Sequence, residues 1–138
     1  MTTQTLVSPA KQFLAQVIRA DALYCAAGGV GALVLAGPIS RWLGLAGTGY
    51  VLGLGVVLLL YAAELFWLTR AGQASTALGW ATVVMNMLWI DGTILLLLTD
   101  WLPLEPAGRW LLILVGAGVA IFGLAQAYAT WQLRGESR

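Results

Sequence analysis

Histidine is absent from the chain, and cysteine occurs once, at Cys25 inside an apolar stretch. Disulfide frameworks, tetrahedral zinc sites, thiol relays and histidine-ligated haem each need residues that this sequence lacks. Cys25 reads as a small packing residue, and Met85 and Met87 as gap fillers, since two thioethers without Cys or His make a poor metal site. No cofactor is expected. Charge is equally scarce: 7 Lys+Arg against 6 Asp+Glu leave a formal net charge of +1, and the basic residues stand singly. Without a basic cluster to neutralise successive phosphates, nucleic-acid binding is excluded. Enzymatic activity is not expected either. Acid–base work would rest on carboxylates at different depths with no nucleophile beside them.

What the chain has in abundance is apolar sequence. Of 138 residues 60% are hydrophobic and 9% charged, with a mean hydropathy of +0.86, whereas a soluble domain carries about 25% charge. The composition is that of an integral membrane protein. At about 20 residues per span, the length holds four transmembrane helices in one domain over residues 1–138. Gly, Pro and Arg punctuate the apolar runs and place the spans at about 15–36, 49–68, 77–98 and 110–133. The expected fold is all-α, a four-helix up-down bundle. An amphipathic approach from Pro9 leads into the first span, which Gly37-Pro38 should stop. The segment Ile39 to Leu43 is short and amphipathic enough to lie in the interface. The first ten residues carry no basic n-region of the kind that opens a cleaved signal peptide.

Four spans put both termini on one side. That side carries Lys11, Arg19, Arg70, Arg134 and Arg138, against Arg41 and Arg109 on the other. The positive-inside rule then makes both termini cytoplasmic, in a plasma (inner) membrane. Trp80 to Trp101, and Trp110 to Trp131, are each 21 residues apart. At 1.5 Å per residue that is about 31 Å, one hydrocarbon thickness, so the pairs read as two aromatic belts with Trp67 in the inner one. The two halves also repeat weakly. A shift of 65 lays Asp21-Ala22-Leu23-Tyr24 on Asn86-Met87-Leu88-Trp89 and Pro38 on Pro103, which predicts two pseudo-repeated hairpins of like orientation.

Measured from these belts, Asp21, Glu64, Asn86 and Gln126 lie about 4–9 Å inside the cytoplasmic boundary, one on each helix. They are expected to converge as an interhelical polar clasp, with Arg19 as counterion, or to line the mouth of a solvated pocket. Asp91 falls about 15 Å from either belt, at the midplane, where no Lys or Arg can reach it. A lone carboxylate in hydrocarbon costs several kcal/mol. Asp91 is therefore expected to face the interior in its uncharged form. There it either bonds to a carbonyl exposed at Gly28, Gly29, Gly55 or Gly118, or lines a small cavity with Trp89, Thr93 and Tyr24 or Tyr61. Two stripes read as close-approach faces: Gly116, Ala120, Gly123 and Ala127 on the fourth span, and Gly49, Gly53, Val57, Tyr61 and Glu64 on the second.

Gly28-Gly29-Val30-Gly31-Ala32, with Gly47-Thr48 beyond, resembles the opening of the small dual-topology fluoride channels. The likeness ends there. No Arg follows closely, no Asn interrupts the second span, and Trp89-Ile90-Asp91-Gly92 stands where those channels have a Thr/Ser/Phe-rich break. Small multidrug-resistance transporters carry an essential Glu in the first span, where this chain has Asp21 near its start. No residue role carries over from either family. The sequence thus predicts a non-enzymatic membrane protein acting through a homo-oligomer, a membrane-complex partner or an apolar lipid ligand. The alternative is a proton- or cation-coupled transporter or channel using Asp91, Trp89, Glu64, Asn86 and Asp21.

Overall fold

A computed structural model describes residues 8–138, which form five helices: α1 (Pro9–Val34), α2 (Ala36–Trp42), α3 (Gly49–Leu68), α4 (Thr76–Leu98) and α5 (Pro106–Glu136). Four of them, α1, α3, α4 and α5, are long and apolar enough to cross a membrane. The protein is an all-helical membrane protein built as a helical bundle.

Local chemistry explains the ends. Proline opens both α1 and α5, where its missing N–H is not required and its fixed φ suits the first turn. Ser75 caps α4 by accepting the Leu78 amide at 3.1 Å. The first span is not stopped by Gly37-Pro38, as the sequence suggests. The break falls at Leu35 (φ −105°, ψ 24°), and Pro38 lies in the first turn of α2, where proline is tolerated. The segment Ile39 to Leu43 is the later part of α2 and its C-cap, and α2 packs on α3 and α5. The Trp42 carbonyl accepts the Glu105 amide at 2.9 Å, and Gly108 leaves no room for a Cβ against that same carbonyl.

The four long helices form two hairpins, α1 with α3 and α4 with α5, joined through α1 against α5. Gly29 and Gly55 make the α1/α3 crossing: a Cβ on Gly29 would stand 2.9 Å from the Gly55 carbonyl oxygen, and one on Gly55 3.0 Å from that of Gly29. The stripe of Gly116 and Gly123 faces Thr93 and Asn86 of α4. A core of Leu14, Ala15, Ile18, Ala22, Ala62, Leu65, Ala129 and Leu133 gathers α3 and α5 around α1 in the half that contains the start of α1 and the end of α5. Ser8 there donates to the Glu136 carboxylate.

The bundle does not close. Although α3 and α4 are consecutive in the chain, they make no contact with one another. The connection between them explains why. It turns at Gly72 (φ +72°), then crosses under α1, where the Ala74 amide donates to the Lys11 carbonyl at 3.3 Å. Ala74 itself is buried with Ala10 and Leu14. That route delivers α4 beside α5, with α1 between it and α3.

Candidate functional site: a polar triad beneath an open cleft

Asp21, Asn86 and Gln126 meet inside the bundle, all three buried. One carboxylate oxygen of Asp21 accepts from Gln126 Nε2 at 2.7 Å and from Asn86 Nδ2 at 3.1 Å. Asn86 Nδ2 also donates to Gln126 Oε1 at 2.9 Å, and the Cys25 thiol lies 3.8 Å from the other Asp21 oxygen. Three helices, α1, α4 and α5, are thereby tied at one level, and every partner of the carboxylate is neutral.

The other members of the expected clasp lie elsewhere. Glu64 and Arg19 are both exposed on the outer surface. Arg19 stands two residues from Asp21, about 200° round the helix, so it cannot share that side chain's inward direction. Glu64 is two residues from the buried Ala62, by the same arithmetic on the far side of α3.

Asp91 requires a larger correction. It is not interior: it is exposed on α4, among exposed Val84, Met87, Leu88 and Leu95. Asn86 precedes it by five residues, which is about 140° round a helix. Once Asn86 faces the triad, Asp91 must face out. Thr93 does point inward, but its hydroxyl bonds back to the Trp89 carbonyl at 2.9 Å. With its carboxyl on an outer apolar face, Asp91→Leu is expected to make α4 insert more readily, by about 3 kcal/mol on the translocon scale. Glycosylation-mapped insertion of isolated α4 measures this energy, and the accessibility of a spin label at position 91 of the full chain to lipid-dissolved oxygen measures the placement; a label shielded from lipid would contradict it.

Where α3 and α4 fail to meet, a cavity of about 300 Å³ remains. Leu54, Val57, Leu58 and Tyr61 of α3 form one wall, Met85, Asn86 and Trp89 of α4 the other. Tyr24, Cys25, Ala27 and Gly28 of α1 line its back, with Val115 and Val119 of α5. Its surface is almost wholly apolar, and Asn86 connects it to the triad. Two of its lining residues carry buried donors without a hydrogen-bond partner, Tyr61 Oη and Trp89 Nε1. A larger depression, about 820 Å³, lies at the helix ends around Arg134, Glu136 and Arg138, and is an open, charged surface.

Trp89 and both candidate tyrosines thus do line a cavity, without Asp91. Tyr61 of α3 was among the expected lining residues, but the separation of α3 from α4 was not expected, because consecutive elements usually pack side by side. No metal-holding group of three or more His, Cys, Asp or Glu occurs among the described residues.

No protein-family model, curated protein or solved structure matches the chain.

Proposed function

We propose that the protein is a non-enzymatic membrane protein that takes up an apolar, membrane-soluble ligand sideways from the bilayer, into the cleft between α3 and α4. The observation that carries this reading is the separation of those two helices around an apolar cavity at membrane depth. At about 300 Å³ its size is at the lower end of small-molecule pockets, which are mostly apolar with a few placed polar groups. It would take a ring system or part of an acyl chain. Arrival through the bilayer needs no aqueous path, and a chain with so little extramembrane structure offers none of its own.

The triad beneath the cleft then has a mechanical role. By fixing α4 and α5 to α1, it holds one wall and the back of the cleft in register while α3 is held only by α1 and the short α2. Such polar links between spans specify an arrangement more than they stabilise it. Val57→Trp should fill the cleft from the α3 side. Bilayers containing lipids brominated along the acyl chain should quench the fluorescence of Trp89 in a variant whose other six tryptophans are Phe. Introducing Val57→Phe as a smaller plug should cut that quenching at least threefold. Equal quenching with and without the plug would sink the reading.

Outward-facing Asp91 supports a second role, assembly with another copy or a membrane-complex partner on the outer face of α4. A carboxyl in a lipid-facing ridge is costly until another chain covers it. Cysteine placed at Leu88 or Leu95 should cross-link to a neighbour in native membranes, and Asp91→Leu should abolish the product. Monomer alone in both cases would exclude this assembly. The start of α1 and the end of α5 lie at one end of the bundle, and the basic residues favour that end five to two, which supports a cytoplasmic placement of that end in the inner membrane. A C-terminal reporter active only on the outside would reverse the orientation.

A further inference from the structure

The two hairpins correspond at a shift of 65, the separation between Asp21 and Asn86, which hydrogen-bond to each other. The same shift pairs Tyr24 with Trp89, Gly53 with Gly118, Val57 with Phe122 and Tyr50 with Val115. In the first member of the comparison every contact is made. Tyr24 of α1 reaches across to α5 and donates its hydroxyl to the Val115 carbonyl at 3.1 Å. Its ring lies 5.4 Å from that of Phe122, directly over Gly118, where a Cβ would collide with it.

In the second member every corresponding contact is missing. Trp89 of α4 should reach across to α3 over Gly53, beside Val57, and donate to the carbonyl of Tyr50. Instead α3 and α4 stand apart, and nothing lies within 4 Å of a Cβ position on Gly53. Val57 lines the cleft, and Trp89 Nε1 has no acceptor. The cleft is the unfilled counterpart of the Tyr24 contact. What Trp89 lacks is a carbonyl oxygen presented by an apolar body. Tyr61, on the opposite wall, lacks an acceptor as well.

We infer that the ligand of this cleft carries a carbonyl oxygen on an apolar ring or chain, and that Trp89 Nε1 and Tyr61 Oη, both covered here by neighbouring side chains, turn on its entry to the acceptor that α3 and α4 fail to supply. A buried donor left unmade is costly, whereas a pure hydrocarbon would leave both orphaned. Lipid-soluble quinones and acyl esters share this chemistry. The inference rests on the proposed uptake into the cleft, and it adds the ligand's class.

The full chain in nanodiscs, loaded with four probes in turn, separates the possibilities. The probes are decylbenzoquinone, its hydrocarbon analogue decylbenzene, methyl laurate and tridecane, and binding is read by equilibrium dialysis. At least one carbonyl probe should bind about tenfold more tightly than its hydrocarbon partner. Trp89→Phe and Tyr61→Phe, which keep ring and bulk, should each erase most of that ratio without changing hydrocarbon binding. Preference for the quinone or for the ester identifies the source, and either supports the inference. Equal affinities for carbonyl and hydrocarbon probes, or unchanged ratios in both Phe variants, would overturn it. If the Val57→Trp plug still lowers hydrocarbon binding in that case, uptake into the cleft survives without the carbonyl requirement. If no probe binds and the plug changes nothing, both readings fall. Rapid disulfide formation between Leu54→Cys and Met85→Cys, in a Cys25→Ala background and lipid-only bilayers, would show a closed interface and likewise overturn the inference.

Discussion

Gly55→Leu is expected to cost the protein about 3 kcal/mol or more and to release α3 from the bundle. Overpacking a tight contact costs about 1–3 kcal/mol where neighbours can adjust. At Gly55 they cannot do so easily, because even a Cβ would lie 3.0 Å from the Gly29 carbonyl oxygen and 3.0 Å from Leu33 Cγ. Backbone, unlike a flexible side chain, has nowhere to go. Elsewhere in a closed bundle such a helix would still be held from its other side. Here α3 has only α1 and the short α2 as neighbours, so loss of the glycine crossing leaves little to retain it. Gly53→Leu, two residues away on an open surface, should be neutral to within about 0.5 kcal/mol. Reversible unfolding in mixed micelles, with cross-linking between α1 and α3, measures both variants. Similar stability for the two would refute the single-contact account of α3.

Asp21→Ala is the second large expected effect, at about 2–4 kcal/mol. Truncation strands Gln126 Nε2 and leaves one of the two Asn86 Nδ2 protons unpaired, since both amides donate to one Asp21 oxygen, and a buried polar group left unsatisfied costs about 1–3 kcal/mol. Two considerations limit the sum. The Asn86 to Gln126 bond survives the substitution, and interhelical hydrogen bonds in membranes average about 0.6 kcal/mol, since separated helices also find partners. The informative comparison is therefore the triple change Asp21→Leu, Asn86→Leu, Gln126→Leu. Replacing all members by apolar groups removes the unmet donors, and stability should recover to near that of the native chain. Register is another matter. The triple variant should lose the fixed relation of α4 to α1, seen as a spread of spin-label distances between the two helices. A triple variant less stable than Asp21→Ala would mean that the triad stabilises the bundle outright.

The different fates of Asp21 and Asp91 show how much the sequence could decide. Scarce charge and four apolar runs were enough for an all-helical membrane protein, because hydrocarbon admits only segments that satisfy their own backbone. Helix starts were less legible: α1 opens at Pro9 and α5 at Pro106, ahead of the starts expected near 15 and 110, while α4 opens at Thr76, within a residue of expectation. The belt tryptophans also served as a ruler: Trp67, Trp80, Trp101, Trp110 and Trp131 are all exposed. Counting along the helices from them puts Asp21, Asn86 and Gln126 at one level, and those three side chains do meet.

Direction was only partly legible. Depth advances by 1.5 Å per residue and is indifferent to azimuth, whereas each residue also rotates by about 100°. Asn86 and Asp91 could not both face inward on one helix, and that contradiction was present in the numbering. Which of the two wins is decided by the partners that other helices bring, here Asp21 and Gln126, and those come from tertiary packing.

The cleft was legible only in part: Trp89, Tyr24 and Tyr61 were expected beside a cavity and do line one, whereas Asp91 and Thr93 do not. Apart from Asn86 its lining residues are ordinary apolar, small or aromatic members of the spans, and its existence depends on α3 and α4 not touching. That separation is set by a short connection whose Ala74 docks against Lys11 and Leu14. Local sequence determined that the helices form and how deep each polar group lies. Tertiary structure alone decided which pair of helices stays apart, because an unfilled space is a property of several segments at once and is written in none of them.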